Sequence, residues 1–257
     1  MPVLSPQTLQ DLHAKLQTRE DIDRLHESTG MERELLLIIY QQKVSRDATR
    51  RYYKVKARVP KLYREWKSGT SLLRIAHDHG FPPVLMAYMV LLEAKVPRKQ
   101  FWKYVRDPTT IRDARLRREI KDLVDHDLVY APEANARQAQ RGREGEELLY
   151  NWLNNLGVTY RTEKDLRQIS TKTPDALLDR PLKYNGREIH WIESKANFGD
   201  DKEIGRNLRK QLIPYTQLFG PGLVVYWYGY VAGAKTPENV VLASREFFEE
   251  NGRNLLV

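Results

Sequence analysis

The sequence contains no cysteine in its 257 residues. This absence excludes disulfides, thiolate zinc sites, iron–sulfur clusters and a cysteine nucleophile, and it is typical of an intracellular protein. Long apolar runs are also missing, because the longest one, residues 223–234, is interrupted by glycine and is too short to span a bilayer. The N terminus shows no basic segment followed by an apolar one, so no secretory signal is expected. We therefore expect a soluble, intracellular protein without a membrane segment.

Acidic residues are fewer than basic ones: 34 Asp and Glu face 43 Lys and Arg, which gives a formal net charge of +9. Such a balance favours a polyanionic partner, nucleic acid before a membrane. The excess is unevenly distributed, since residues 1–135 carry a net charge of +7 and residues 136–257 carry +2. The first half of the chain is therefore the better candidate for binding a polyanion.

Residues 43–67 concentrate this charge, with ten Lys and Arg, two acidic residues and four interleaved aromatic side chains. Cationic side chains bind phosphates and aromatic faces stack on bases, so the segment is a candidate nucleic-acid surface. A solvated helix face whose aromatic residues turn toward the core explains the same pattern. The side chains predicted to contact nucleic acid are Arg50, Arg51, Lys54, Lys56, Arg58 and Lys61.

The first half of the chain has apolar residues three and four positions apart, which predicts helices. A weak repeat at an offset of 50 aligns residues 22–39 with residues 72–89, and each copy is predicted to be a helix, a glycine turn and a second helix. This spacing is typical of a helix-turn-helix, whose second helix would enter a DNA major groove. Residues 84–92 are apolar on every face, however, which favours a buried helix and a scaffolding role for the repeats.

The second half alternates between helical and extended patterns. We predict helices over residues 144–156, 201–218 and 244–250, and strands over residues 158–161, 175–178, 189–195, 223–231 and 240–242. The small, polar segment 131–142 comes before them and indicates a boundary near residue 135. The expected fold class is α+β or α/β, with an all-helical domain over residues 1–135 and a smaller domain with a mixed central sheet over residues 136–257.

Two predicted neighbouring strands carry acidic residues at positions that can meet. Asp175 begins one strand, and Glu193 and Lys195 end the next, where a period of two puts both on one face. Two carboxylates can share a hard divalent cation such as Mg²⁺ or Mn²⁺, and a lysine beside them can position the attacking water and offset phosphate charge. A metal-dependent phosphodiesterase needs this arrangement.

An acidic residue two positions before a lysine is a weak signal by itself, since the chain contains five such triplets. Only Glu193 and Lys195 end an apolar strand, and only they follow the single Pro-Asp pair of the chain, at residues 174 and 175. Strand context therefore selects this triplet. The alternative to a catalytic site is an ordinary surface ion pair at the end of a strand.

The helices on either side of the predicted strands offer further polar side chains. Glu146 can reach a metal or its water shell from the preceding helix, with Glu144 and Glu147 as competitors. Gln211 and Tyr215 are four positions apart and share a helix face. They can line the site or cap the helix against the sheet.

The order helix–strand–strand–strand–helix–strand, with Glu146, Pro174-Asp175 and Glu193-x-Lys195, resembles the PD-(D/E)xK nuclease superfamily. A closer resemblance is to the codanin-interacting nuclease family of animals and archaea. It covers nearly the whole C-terminal half, extends weakly into the helical half, and is carried by the strings TPD (173–175), HWIESKANFGD (190–200) and FGPGLVVYWYG (219–229) and by the pair Gln211 and Tyr215.

The resemblance implies a restriction-endonuclease-like fold for residues 136–257 and Mg²⁺ or Mn²⁺ as cofactor. It also implies a codanin-like protein partner, location in the nucleus or cytoplasm of a eukaryote or the cytoplasm of an archaeon, and leaves a homodimer open. The site roles that it implies are Asp175 and Glu193 as metal ligands with the backbone carbonyl of Ser194, Lys195 as the catalytic lysine, Glu146 as the helix carboxylate and Gln211 as a supporting side chain.

The sequence thus predicts an enzyme, a metal-dependent nuclease that hydrolyses nucleic-acid phosphodiester bonds through a Mg²⁺-activated water. DNA is favoured over RNA, and a preference for particular DNA structures is left open. The alternative is a nucleic-acid-binding or scaffold protein whose nuclease fold is catalytically idle. A third hypothesis, a transcription regulator led by the N-terminal repeats, predicts sequence-specific binding of duplex DNA without cleavage.

Overall fold

The computed structural model describes residues 3–168, 170–184 and 186–250. The described residues form two compact units, one from residues 16–138 and the other from residues 3–15 together with residues 139–250. Sequence analysis assigned residues 3–15 to the helical half. They group with the second unit because strand β1 (Val3–Leu4), which precedes helix α1 (Pro6–Lys15), pairs in parallel with strand β6 (Tyr230–Val231).

The unit formed by residues 16–138 is helical. Its elements are α2 (Glu20–Thr29), α3 (Arg33–Lys56), α4 (Val59–Lys67), α5 (Leu72–Asp78), α6 (Pro83–Glu93), α7 (Arg98–Arg106), a 3₁₀ turn (Pro108–Thr110), α8 (Ala114–His126) and the first turns of α9 (Pro132–Asn155). The segment 131–142, whose composition indicated the domain boundary, is thus almost entirely helical. Alanine, arginine, glutamine and glutamate dominate it, and these are strong helix formers.

The repeat predicted at an offset of 50 residues is present as two helix–glycine–helix units. Gly30 lies between α2 and α3 with φ of 70°, and Gly80 lies between α5 and α6 with φ of 51°. Glycine adopts positive φ without a steric penalty, so these matched glycines end the first helix of each unit. The structure confirms that α6 is buried, because Val84, Met86, Ala87 and Val90 are all inaccessible to solvent.

A buried carboxylate joins three helices of this unit. Glu119 on α8 accepts the backbone N–H of Leu72 and the indole N–H of Trp66, both at 3.0 Å. It also accepts a hydrogen bond from Arg115 Nε at 2.7 Å. A buried carboxylate needs such partners to offset its lost hydration, so α4, α5 and α8 are fixed to one another at this point.

The second unit is built on a mixed five-stranded sheet with the order β2-β3-β4-β5-β7. β2, β3 and β4 are antiparallel neighbours, and β4, β5 and β7 are parallel neighbours, which confirms the expected fold class. No helix in the described ranges is long and apolar enough to cross a membrane. The elements after α9 are β2 (Tyr160–Thr162), α10 (Glu163–Leu166), β3 (Ala176–Tyr184), β4 (Arg187–Lys195), α11 (Asp201–Asn207), α12 (Ile213–Phe219), β5 (Gly222–Tyr226), β6, β7 (Val240–Ser244) and α13 (Arg245–Glu250).

Side chains along β4 alternate between two helical layers. Ile192 packs in a buried cluster with Leu149 and Leu153 of α9, whereas Trp191 packs in a second cluster with Tyr215 of α12. The central sheet therefore lies between α9 on one face and the α11–α12 region on the other. Glu193 and Lys195 share the parity of Trp191 and belong to the α11–α12 face.

The strand predicted over residues 223–231 is wrong in extent. β5 ends at Tyr226, and the chain turns at Gly229, which has φ of 85°, before β6 pairs with β1. The backbone N–H of Trp227 donates to the carbonyl of Lys195 at 3.0 Å and marks the last contact beside β4. The turn was missed because Tyr and Trp favour strands wherever they occur.

The helix predicted over residues 201–218 is interrupted. Residues Leu208–Leu212 form a π-helical segment between α11 and α12. Pro214 has no N–H to give the carbonyl of Lys210, and Lys172 Nζ donates to that carbonyl at 3.0 Å. Such segments often occur at functional positions, and Gln211 lies within this one.

Candidate active site

The predicted acidic residues meet where β3 begins and β4 ends. Ala176 pairs with Ile192 in antiparallel register, so the next residues, Asp175 and Glu193, stand side by side. Asp175 N–H donates to Glu193 Oε2 at 3.4 Å, and Ser194 N–H donates to Asp175 Oδ2 at 2.7 Å. Glu193 is only 2% exposed and Asp175 is half-buried, so the two neighbouring carboxylates are partly shielded from solvent.

Lys195 is held at two points beside this pair. Its ammonium donates to Glu193 Oε1 at 2.5 Å and to Gln211 Oε1 at 2.9 Å. The amide nitrogen of Gln211 lies 3.4 Å from the hydroxyl of Tyr215. The π-helical segment thus supplies the side chain that fixes the lysine, and the predicted pair Gln211 and Tyr215 does line the site.

Two tyrosines hold the segment that carries Asp175, one from each helical layer. Tyr150 on α9 donates to the carbonyl of Asp175 at 3.2 Å, and Tyr215 on α12 donates to the carbonyl of Thr173 at 2.9 Å. Each hydrogen bond contributes about 0.5–1.5 kcal/mol. Sequence analysis missed Tyr150, although its position four residues after Glu146 on the same helix face was a usable signal.

Of the three candidate carboxylates on α9, Glu146 faces the site. Glu144 and Glu147 are exposed, whereas Glu146 is half-buried. Burial raises the pKa of Glu146. The charge of its carboxylate interacts with the charges of Lys195 and Asp175. Its burial and these charge interactions therefore favour Glu146 over Glu144 and Glu147.

Helix α9 approaches the sheet closely at Gly145. A Cβ atom there would lie 2.6 Å from Trp227 Nε1 and 3.1 Å from Ser194 Oγ. These two side chains are already joined by a hydrogen bond of 2.7 Å from the indole to the hydroxyl. Only glycine fits, so Gly145 determines how near the next residue, Glu146, comes to the strand ends.

A further carboxylate, that of Glu163, lies beside Asp175. It was not predicted from the sequence. Thr162 pairs with Ala176 across β2 and β3, so Glu163 follows next to Asp175. The side chain of Glu163 is 47% exposed and pairs with Arg167 at 3.1 Å. The predicted strand 158–161 ended too early to put Glu163 in this register.

Burial and like charges raise the pKa values of the carboxyl groups. For Asp175, burial is the largest cause, and the charge of Glu193 adds to it, so that its pKa rises to about 8. Burial also raises the pKa of Glu193, against the opposing charge of Lys195. A single lysine thus leaves this acidic group short of positive charge, which favours the binding of a cation.

The donor set fits a hard divalent cation. Asp175 and Glu193 supply two carboxylates, and Mg²⁺ is commonly held by one or two carboxylates while it keeps several waters. In the part of the chain that the structure describes, no three His, Cys, Asp or Glu side chains form a ready metal cluster. The other ligands would therefore be water and a backbone carbonyl, the role predicted for Ser194. A tetrahedral zinc site is a poorer fit, because it needs His or Cys ligands.

The six cations predicted to contact nucleic acid are all exposed on the helical unit, but three of them have partners. Arg51 donates to the carbonyls of His79 and Gly80, at the end of α5. Arg50 and Lys61 form ion pairs within their own helices. The three whose side chains form no hydrogen bond or ion pair with a described residue are Lys54, Lys56 and Arg58.

The four aromatic residues between these cations divide in a similar way. Tyr52, Tyr63 and Trp66 pack against the core, as the alternative of a solvated helix face predicts. Tyr53 is 80% exposed. Among the four, only Tyr53 presents a ring on which a base could stack.

A family model matches the part of the chain that contains the site. The model is described as a protein of unknown function with a TPD sequence motif, and it matches residues 112–247, more than half of the chain. The matched range includes the chain's own TPD string at residues 173–175. It also includes Glu146, Glu193 and Lys195, so the family covers the whole candidate site.

Several similar proteins are named CDAN1-interacting nuclease 1. The chain is 36% identical over 169 residues to the protein from Danio rerio and 36% identical over 168 residues to that from Homo sapiens. These matches cover 63% and 62% of this chain but 56% and 60% of the relatives, so the chain spans less than two thirds of their length. The protein from Gallus gallus is 30% identical over 233 residues, which cover 83% of this chain and 81% of the relative. No solved structure matches the chain.

A first prediction concerns the close approach at Gly145. Gly145→Ala forces a methyl group against Trp227 and should lower the free energy of unfolding by about 1–3 kcal/mol. Gly142→Ala is the matched control on the same helix, because a Cβ atom there meets nothing within 4 Å. That control should raise the free energy of unfolding by about 0.5–1 kcal/mol. Urea denaturation measures both, and equal effects would contradict the close approach.

A second prediction concerns the pH dependence of stability without metal. The pKa of Asp175 is about 8 in the folded protein and about 3.9 in the unfolded chain. Between these values the folded state keeps a proton that the unfolded state has lost, so stability falls as pH rises. An asparagine side chain cannot ionise, so the Asp175→Asn variant does not show this loss of stability with rising pH.

The measured quantity is the melting temperature of Asp175→Asn minus that of the wild type, both in EDTA. This difference should therefore be more than about 3 °C larger at about pH 8 than at about pH 5. Differential scanning calorimetry across this range measures the difference. A difference that does not change with pH would show that the carboxyl group of Asp175 ionises normally in the folded protein.

Proposed function

The chain belongs to the TPD sequence-motif family, and we propose that it is a metal-dependent nuclease that hydrolyses phosphodiester bonds. One observation carries the proposal: the half-buried carboxylate of Asp175 and the buried carboxylate of Glu193 stand side by side, with the Lys195 ammonium 2.5 Å from Glu193. Similar proteins are named nucleases, which supports the same activity. The positions of these residues at the ends of antiparallel neighbours in a mixed sheet also support a place in the PD-(D/E)xK superfamily.

Asp175 and Glu193 would hold Mg²⁺ or Mn²⁺ together with the backbone carbonyl of Ser194. The bound ion supplies a water of lowered pKa and stabilises negative charge on the phosphate. The N–H of Ser194 and the hydrogen bond from Tyr150 hold Asp175 in place before substrate binds. The site then needs little reorganisation as negative charge develops on the phosphate in the transition state. Such preorganisation is the main source of electrostatic catalysis.

Lys195 and Glu146 would handle the substrate oxygen atoms and the proton. The Lys195 ammonium, kept in place by Gln211, binds a phosphate oxygen and positions the attacking water. Glu146 has a pKa that burial raises above its ordinary value. It therefore suits a group that accepts a hydrogen bond from water and takes up its proton.

The substrate class follows from charge and from the helical unit. A net charge of +9 favours a polyanion, and the exposed cations Lys54, Lys56 and Arg58 next to Tyr53 suit a phosphate backbone with stacked bases. Two helix–glycine–helix units resemble DNA-binding helix-turn-helix elements, so we favour DNA over RNA. The buried α6 counts against groove reading by the second unit.

A protein partner is the second part of the proposal. The names of the relatives state that they interact with CDAN1. We therefore propose that this chain binds a codanin-like protein where its source has one. Copurification of a tagged chain with such a protein, analysed by mass spectrometry against an untagged control, tests this point. Absence of that protein from the purified material would contradict it.

The activity is tested with the purified chain and labelled DNA and RNA, each as single strand, duplex, flap, splayed arm and four-way junction. We expect cleavage of one class with Mg²⁺ or Mn²⁺ and none in EDTA. Asp175→Asn, Glu193→Gln and Lys195→Ala should each lower the rate by about 10²–10⁴-fold, because each removes a ligand or a proton-handling group.

Two matched controls separate the site from general surface charge. Glu147→Gln and Lys202→Ala change exposed residues of the same types as Glu146 and Lys195 and should keep the wild-type rate. Glu146→Gln should lower it. Tight binding of nucleic acid without cleavage under either metal would contradict the nuclease and favour a binding protein with an idle fold.

A further inference from the structure

A second basic surface lies on the helical unit, outside the segment 43–67. Residues 98–118 contain eight Lys and Arg and two acidic residues. Both acidic residues cap helical turns: Asp107 accepts the N–H of Thr109 at 3.1 Å, and Asp113 accepts the N–H of Leu116 at 2.7 Å. Neither forms an ion pair with a described cation, so these two carboxylates do not pair with the positive charges of the segment.

Most of these cations have no partner within the described structure. Arg115 and Arg117 are engaged, the first with Glu119 at 2.7 Å and the second with the carbonyl of Ile111 at 2.8 Å. In segment 43–67, by contrast, six of the ten cations already have contacts. The six that are exposed and whose side chains form no hydrogen bond or ion pair with a described residue are Arg98, Lys99, Lys103, Arg106, Arg112 and Arg118.

Three of them form a row on α7, the α7 cation row of Lys99, Lys103 and Arg106. Their spacing of four and three positions puts them on one helix face. Phe101 and Val105 anchor the other face, since they are 1% and 2% exposed. At 1.5 Å per residue the row is about 10 Å long, close to three base-pair steps measured along the axis of a DNA duplex.

Helix stability explains only part of these charges. Lys103 and Arg106 lie in the last turn of α7, where the partial negative charge of the helix end stabilises a cation, but Arg98 and Lys99 lie at the opposite end. The N-terminal end of a helix carries partial positive charge, so a cation in the first turn costs about 0.3–1 kcal/mol, whereas an acidic residue stabilises it. Arg98 and Lys99 occupy the first turn of α7, which contains no acidic residue. Local costs of this kind are expected where an exposed surface serves a partner.

We propose that the α7 cation row binds the phosphate backbone of nucleic acid, in addition to the segment 43–67. This inference rests on the proposed nuclease function and names a further substrate surface for it. Trp102, between the cations, is half-buried and stacks on Tyr88 with ring centroids 6.1 Å apart, so this ring already has a partner within the fold. The row therefore contacts phosphates without reading bases, and its contribution depends on salt but not on sequence.

Fluorescence anisotropy of a labelled DNA duplex with the full chain, over a range of salt concentrations in EDTA, tests this surface. EDTA separates binding from cleavage. Lys99→Gln/Lys103→Gln/Arg106→Gln keeps helix propensity but removes three charges. It should lower the slope of log K against log salt by about 2.7 and weaken binding at least about tenfold near 0.1 M salt. Lys103→Gln alone should lower the slope by about 0.9.

The matched control is Arg24→Gln/Arg33→Gln/Lys121→Gln, which removes the same charge from exposed positions of the same unit. Each of these cations is already paired with an aspartate, so the slope should stay at the wild-type value. A wild-type slope in the α7 variants, or an equal loss of slope in the control variant, would overturn the inference about α7. In either case, binding of the duplex by the wild-type chain would still support nucleic acid as the substrate. If wild type binds no duplex at any salt concentration, both fail.

An acidic protein is the other polyanion that could occupy this surface. Poly-L-glutamate is the probe for it, titrated under the same conditions. Weak binding that the α7 variants do not change supports the nucleic-acid assignment. If poly-L-glutamate binds as tightly as the duplex and shows the same loss in the triple variant, the row is an acidic-protein surface and the proposal is overturned.

Discussion

The juxtaposition of a half-buried carboxylate, Asp175, and a buried one, Glu193, constrains the whole C-terminal unit. Asp175 and Glu193 stand side by side because β3 and β4 are antiparallel and in register up to Ala176 and Ile192. Burial raises the pKa values of both groups, the charge of Glu193 further raises that of Asp175, and the only ammonium beside them within the described structure is that of Lys195. Such a site is costly without a counter-ion, and the proposed divalent cation supplies one.

The surrounding elements serve to hold this arrangement. From one layer, α9 brings Tyr150 to the carbonyl of Asp175 and approaches closely enough at Gly145 to present Glu146. From the other layer, the π-helical segment and α12 bring Gln211 to the lysine and Tyr215 to the carbonyl of Thr173. Both layers therefore converge on one end of the sheet, and the helical unit adds exposed cations that suit a phosphate backbone.

The fold class, the mixed sheet and the residues of the acidic site were predictable, because strand patterns and the spacing of Asp175, Glu193 and Lys195 are local signals. The choice of Glu146 over its neighbours was not, since it depends on how α9 is rotated and how closely Gly145 lets it approach. The turn after β5 escaped notice because its residues favour strands. The unpaired cations of α7 were not predicted as a binding surface, because only tertiary contacts distinguish a paired arginine from an unpaired one.

The central claim is that Asp175 and Glu193 hold one divalent cation, and a titration of the metal-free chain with Mn²⁺ tests it without any substrate. Electron paramagnetic resonance measures the free ion. The account predicts one site in the wild type, at least about tenfold weaker in Asp175→Asn and in Glu193→Gln, and unchanged in Glu147→Gln. Equal Mn²⁺ binding by all four proteins, or none by the wild type, would contradict it.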